Sequence, residues 1–361
     1  MTTTEYSQPF EIDVGGLLYA VTFSPHGEYI VSGDNHGVRV WRVDDGEEIA
    51  TMSAGRTINC LAVSRNGKWI AAGTQSDKKL LLWNATTHER VLKHKHNSFL
   101  NAVDFSPDST RLVSASGNTA TIWDISNRQP IQTLDHQSWV FAAKYSPKGD
   151  RIATATQNLV RVWDTNNGRL LVNIQVKMIP LYNSGLVWFN NHLFVVSDDT
   201  IKQFDASTGS PVAEWQVPDS TSFSCISLPK HGQFIAYSNG DTVTFWCTST
   251  RSQLAAVQHA QNINSIAFSL DDRFLAIGGE DGKISIKSLS RIIDSTPSSR
   301  PPPMLRAPDI QVDDAASNSP IPSFSLREWA KAKLTRNSWK DVLLSATGAS
   351  IHLLLSLLFW D

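Results

Sequence analysis

Cysteine is scarce: Cys60, Cys225 and Cys247 are the only three in 361 residues. They lie far apart, which leaves neither a disulfide framework nor a paired metal-ligand spacing. Small core side chains in a reducing compartment account for them. An excess of one charge is lacking too. The 32 Lys and Arg stand against 34 Asp and Glu, for a formal net charge of -2. No strong field draws the whole chain to nucleic acid or anionic lipid, and no basic stripe with interleaved aromatics appears. The opening "MTTTEYSQPF" lacks a basic stretch followed by an apolar one, so no secretory signal is expected. Catalytic motifs are missing as well: no G-x-S-x-G, no phosphate-cradling glycine loop, no H-E-x-x-H and no C-x-x-C. Acidic pairs such as Asp44-Asp45, Asp198-Asp199 and Asp271-Asp272 fall in turns, where they serve local backbone N–H groups. The expectation is a protein that is not an enzyme and needs no cofactor or metal.

What is present is apolar material and a repeat. Hydrophobic residues are 41%, enough for a sizeable core, and tryptophan occurs 12 times. Seven segments end alike, at Trp41, Trp83, Trp123, Trp163, Phe204, Trp246 and Lys287, with steps of 42, 40, 40, 41, 42 and 41 residues. Inside each period an apolar run such as "AVDFS" is followed by a turn such as "PDST". Then come a second run, a second turn, the Trp-bearing run and a closing stretch such as "QPIQTLD". Alternation and turn signals every eight to twelve residues predict four antiparallel strands per period.

The segment "SPKGDRIATATQNLVRVWD" resembles a WD-repeat. The resemblance covers residues 6–290 and implies an all-β, seven-bladed WD-repeat β-propeller. The last copy lacks a fourth strand, and a strand near residues 8–14 has no sheet of its own. Pairing the two closes the ring and removes two exposed edges. The first domain is thus expected over 1–290. The later blades and the "REWAKAKL…SWKDVLL" stretch are similar to an expanded WD-repeat group of mushroom-forming fungi, in which a helical region follows the propeller.

In WD-repeats a His, a Ser or Thr, an Asp and the Trp form a hydrogen-bond network inside a blade. The resemblance assigns His96, Asn118 and Trp123 to blade three, with Ser114 or Ser116 as hydroxyl. It assigns His136, Asn158 and Trp163 to blade four, with Thr154 or Thr156. His259 and Asp281 take the matching places in blade seven, where Lys287 replaces the Trp. These histidines read as structural, since no pair falls at ligand spacing. The residue three after each network His is expected on the rim where partners dock. Those positions are Phe99, Trp139 and Asn262, with Leu17, Thr57, Asn183 and Thr221 matching by register. The function expected is a protein–protein interaction scaffold with protein or peptide partners and no nucleic acid, in a cytoplasmic or nucleocytoplasmic compartment. "WDIS" and "WDTN" lack the W-D-x-R of cullin-ligase receptors.

Beyond the propeller, residues 291–324 carry seven of the 16 prolines and read as a disordered linker. Ser325–Glu328 is a capping box, so a helical hairpin or tail is expected over 325–361. Val342–Trp360 has no formal charge over nineteen residues. That length suits a bilayer span and opens a second reading, a tail-anchored adaptor at the cytosolic face of a membrane. A polar stripe at Ser345, Gly348, His352 and Ser356 argues instead for a helix packed on a partner.

Overall fold

The structure, a computed structural model, describes residues 10–177, 185–197, 199–217 and 224–294. These belong to one compact unit, Met1–Pro302. Asn183, Thr221, the 325–361 tail with Val342–Trp360, and all of the expected linker after 294 lie outside the described residues.

Among the described residues, twenty-eight strands form seven four-stranded antiparallel sheets. Blade three shows the plan. Leu100–Phe105 lies innermost, followed outward by Arg111–Ser116, Thr119–Asp124 and Gln129–Asp135. Each inner strand touches the inner strands of the blades before and after it, and this circuit closes from blade seven to blade one. Blade seven contains Ile263–Phe268, Phe274–Gly279 and Lys283–Ser288. Its fourth strand is Phe10–Asp13, which pairs with Lys283–Ser288 in the register Phe10↔Ile286 and Ile12↔Ile284.

Burial falls from the axis outward. The inner strand of blade three is almost wholly buried, while its outer strand alternates and is mostly exposed. That gradient follows from stacking: the middle strands are covered on both faces by neighbouring blades and the outermost strand is not. Apolar residues gather in seven clusters, each drawn from two successive blades. One of them joins Ile12, Val14, Ile284 and Ile286 of blade seven to Leu18, Ile30 and Trp41 of blade one.

Two short sequence features make the turns. A serine ends the first run of most periods, and its Oγ accepts the backbone N–H five residues on: Ser24 from Tyr29, Ser64 from Trp69, Ser106 from Arg111, Ser146 from Arg151, Ser269 from Phe274. The residue after the Trp then caps the next turn. Asp124 Oδ1 accepts from the N–H groups of Ser126 and Asn127, and Asp205 Oδ1 from those of Ser207 and Thr208. The Ser126 hydroxyl, which also donates to Asp124 Oδ1, and then the backbone bonds hold the Asp124 carboxyl below the usual range; the backbone bonds do the same for Asp205. Cys247 fills that place in blade six. Partial burial opposes its ionisation, but hydrogen bonds from Ser249 and Thr250 prevail and bring the thiol down to about 7.

A short helix, Leu289–Asp294, follows the last strand, and Leu289 and Ile292 are buried in the cluster shared by blades six and seven. It runs across the expected domain boundary at residue 290. Apolar residues at i and i+3 give it one face to bury, which the proline-based reading of 291–324 overlooks.

Candidate functional site: a rim and its internal bracing

The indole of the repeat Trp is anchored by a hydroxyl set in register. In blade three Leu112 pairs with Trp123, and two residues on Ser114 Oγ accepts from Trp123 Nε1 at 2.8 Å. The same relation places Ser32 on Trp41 and Thr154 on Trp163, both at 2.8 Å. Of the two hydroxyls weighed in each blade, Ser114 and Thr154 make this bond. Ser116 Oγ donates instead to Ser98 O at 2.7 Å, and Thr156 Oγ1 to Leu159 O.

The His end of the expected network does not join it in these blades. His96 and His136 meet Trp123 and Trp163 ring to ring, with centroids 5.8 and 5.2 Å apart in edge-on geometry. Neither Nε2 has a hydrogen-bond partner. Burial, and then the neighbouring charge of His94 or Arg161, lowers both imidazoles to about 4, so both are neutral near pH 7. Asn118 and Asn158 are exposed at the tips of two-residue turns and contribute only backbone carbonyls, to His136 N and Val176 N. A tight tip points its side chain into solvent, so these asparagines are not members of a buried network. Blade seven differs. Its turn is one residue longer, Glu280-Asp281-Gly282, and Asp281 folds back so that Oδ2 lies 3.2 Å from His259 Nε2. That contact is an ion-pair approach rather than an aligned hydrogen bond, since His259 Nε2 makes none.

The expected rim residues sit at the head of the inner strands. Leu17, Thr57, Phe99, Trp139 and Asn262 each immediately precede a fully buried residue: Leu18, Ile58, Leu100, Val140 and Ile263. The buried neighbour fixes the backbone, and the rim residue faces away from the core. Trp139 is 46% exposed, and Phe99 is half-buried. Their rings meet edge to face at 5.0 Å, across the junction of blades three and four. Asn262 is drawn inward instead. Its Nδ2 donates to Glu280 Oε2 at 3.0 Å, and its carbonyl accepts from Glu280 N. Among the described residues no group of three His, Cys, Asp or Glu could hold a metal ion.

Residues 17–288 match the family described as IFT122 first beta-propeller. The chain belongs to that family. Similar proteins include the Intraflagellar transport protein 122 homolog of Xenopus tropicalis, 28% identical over 102 residues, which are 28% of this chain and 8% of that protein. Its counterpart in Homo sapiens is 26% identical over 99 residues, 27% and 8% of the two chains. The Ribosome biogenesis protein BOP1 homolog of Drosophila sechellia is 32% identical over 85 residues, 23% and 11%. The matched segments are a small part of each relative's own length.

In this IFT122-family propeller one set of bracing residues escapes the repeat-based reading. Asn59, Asn101 and Asn264 occupy β-bulges at the heads of three inner strands, where the register slips between Ile58 and Cys60, Leu100 and Ala102, and Ile263 and Ser265. A bulge re-aims one side chain. Each Asn Nδ2 here donates to a carbonyl of the next blade: Asn59 to Leu100 O at 2.7 Å, Asn101 to Val140 O at 2.9 Å, Asn264 to Leu18 O at 2.9 Å. The carbonyls belong to the buried residues that follow Phe99, Trp139 and Leu17, so the staples fix the rim. The recurring strings "INC", "LNA" and "INS" carry the signal.

Proposed function

We propose that this propeller is a non-catalytic protein-interaction scaffold that docks protein partners on the rim formed by the heads of its inner strands. The observation that carries the reading is the Phe99–Trp139 pair. Large aromatic side chains held rigidly at a surface are the usual anchors of protein interfaces. Trp139 is the most exposed tryptophan among the described residues, at 46%, and its backbone is clamped by Val140 and Asn101. Leu17, 38% exposed, extends the apolar rim at blade one. Asn262, tied to Glu280 within its own blade, would add a polar position to the rim at blade seven. The compartment that suits the reading is cytoplasmic or nucleocytoplasmic, the reducing setting that three widely spaced cysteines fit. No helix of the described residues is long and apolar enough to cross a membrane.

The test is capture from a native extract on the immobilised full chain, compared with Trp139→Ala and Phe99→Ala. Recovery of specifically bound proteins should fall roughly tenfold or more, as for a hot-spot residue. The Tm should move by less than about 2 °C. Unchanged recovery, or a large fall in Tm, would make the pair packing residues and end the proposal.

A further inference from the structure

Blade two carries a charge that the fold does not use. Residues 54–97 hold eight Lys and Arg against two Asp and Glu, in a chain whose formal net charge is -2. Three of the eight, Arg90, Lys93 and Lys95, stand on the outermost strand, Arg90–Lys95, and all three are exposed. The outer strands of the other six blades contain no Lys or Arg. Lysine is a common guard of exposed sheet edges, but six edges here do without it. Edge protection therefore does not account for three cations on the seventh.

The surroundings leave these cations unanswered. Arg90, Lys93 and Lys95 form no ion pair among the described residues, where the one ion pair within the blade joins Lys79 to Asp77. Lys79 also stands directly opposite Lys95 in the register, a like-charge pairing that costs the sheet stability. On blade one, Asp45, Glu47 and Glu48 are engaged by Arg42 and Arg39 of their own blade. The strand is an open edge as well, since the sheet ends at it. His96 N bonds inward to Lys78 O. By antiparallel alternation His94 and Leu92 also bond inward, so the N–H and C=O groups of Lys93 and Lys95 point outward. His94 turns toward blade three, its ring 4.6 Å from that of Trp123. Lys93 and Lys95 share the opposite face of the strand.

We infer that an acidic segment of a partner protein adds to blade two as a fifth strand along Leu92–Lys95, with Glu or Asp at alternate positions. The outward groups of Lys93 and Lys95 supply the ladder, as in other cases of strand addition to a sheet edge. Residues of the added strand that lie opposite Lys93 and Lys95 are two apart, so the spacing Glu-x-Glu sets one carboxylate beside each ammonium. Arg90, beyond the register shift after Leu92, meets a further carboxylate. A nucleic acid would answer the cations and leave the ladder groups unmet, which favours a protein strand. The site lies three strands out from the inner strand and stands whether or not the Phe99–Trp139 rim docks partners.

The test uses the full chain and four fluorescein-labelled probes, read by fluorescence polarisation. The first is an octapeptide of alternating Thr and Glu. The second has the same residues with every Glu in one block. The third is the first with each Glu N-methylated on the backbone, which removes ladder donors and keeps the charge. The fourth is an octathymidylate. The first should bind, and the other three should bind about tenfold or more weakly, having lost the register or the ladder. Lys93→Glu with Lys95→Glu should weaken the first about tenfold or more, as two attractive contacts become repulsive. Both side chains are exposed, so the Tm should move by less than about 2 °C. Trp139→Ala should leave the affinity unchanged. No binding by the first peptide overturns the proposal, as does affinity indifferent to the double variant. Equal binding by the block or N-methylated peptide would reduce the surface to diffuse charge attraction and overturn it too. Equal or tighter binding by the octathymidylate would make it a nucleic-acid surface instead.

Discussion

Blades three and four and blade seven solve the same internal problem by dividing its parts. In blades three and four the indole N–H meets a hydroxyl, and the His packs on the indole ring with no carboxylate at its Nε2. In blade seven Lys287 stands where the Trp would be, and Ile277 stands where the hydroxyl would be. The His259–Asp281 contact persists there. The Trp–hydroxyl pair and the His–Asp pair are therefore separable units. A buried polar group left without its partner is costly, and blades three and four carry that cost at His96 Nε2 and His136 Nε2. Blade two separates the other pair: it keeps Trp83 although Ala72 occupies the hydroxyl position.

The largest expected effect breaks blade three. Trp123→Ala removes a buried indole and should cost about 3–5 kcal/mol in urea unfolding. Ser114→Ala should cost about 1–3 kcal/mol by orphaning the indole N–H. Equal losses for the two would mean that the hydrogen bond, not the packing, holds the blade.

Next, blade seven can be converted. Lys287→Trp alone should bring no gain, since Ile277 offers no acceptor. Lys287→Trp with Ile277→Ser should exceed the sum of the single changes by about 0.5–3 kcal/mol, the range for coupled neighbours. Additivity in that cycle would show that register alone does not define the pair.

The third effect depends on pH. In the folded chain His96 and His136 protonate at about 4. In the unfolded chain they protonate near 6.5. Below about pH 6.5 the unfolded chain binds protons that the folded chain refuses, so stability falls with pH until about 4. The urea midpoint should drop from pH 7 to 4.5, and a His96→Gln, His136→Gln double variant should show a smaller drop. The same slope in both proteins would exclude these histidines as the cause.

The smallest effect lies in a turn. Gly46, Gly168 and Gly209 adopt φ of 72°, 63° and 76°, while Arg128 sits at the equivalent place in blade three with φ 61°. Left-handed backbone strains a residue with a Cβ, so Arg128→Gly should stabilise by up to about 1 kcal/mol. Destabilisation would mean that the exposed Arg side chain contributes more than the strain removes.

The repeat made the fold legible. A step of 40–42 residues, with apolar runs and turn residues inside it, is set by local chemistry that each period states again. The Trp anchors were half legible. Two hydroxyls in each strand looked equivalent, and strand pairing decides for Ser114 and Thr154. Spacing does not place Asn118 and Asn158, because one residue of turn length decides whether a side chain points inward or to solvent. The Asn59, Asn101 and Asn264 staples are not legible in the repeat, because they act between blades and a single repeat contains only one end of each bond. Nothing in the sequence spacing showed that Phe99 and Trp139 touch.

The pairing of Phe10–Asp13 with Lys283–Ser288 has a consequence for biosynthesis. Among the described strands the one that completes the ring is made first and its partner last. At about 5–20 residues per second the wait is roughly 15–55 s. Throughout that time the backbone of Phe10–Asp13 lacks its strand partner and Ile12 has only its blade-one neighbours, while blade after blade stacks behind them. The nascent chain must be kept from closing on the wrong edge until blade seven arrives.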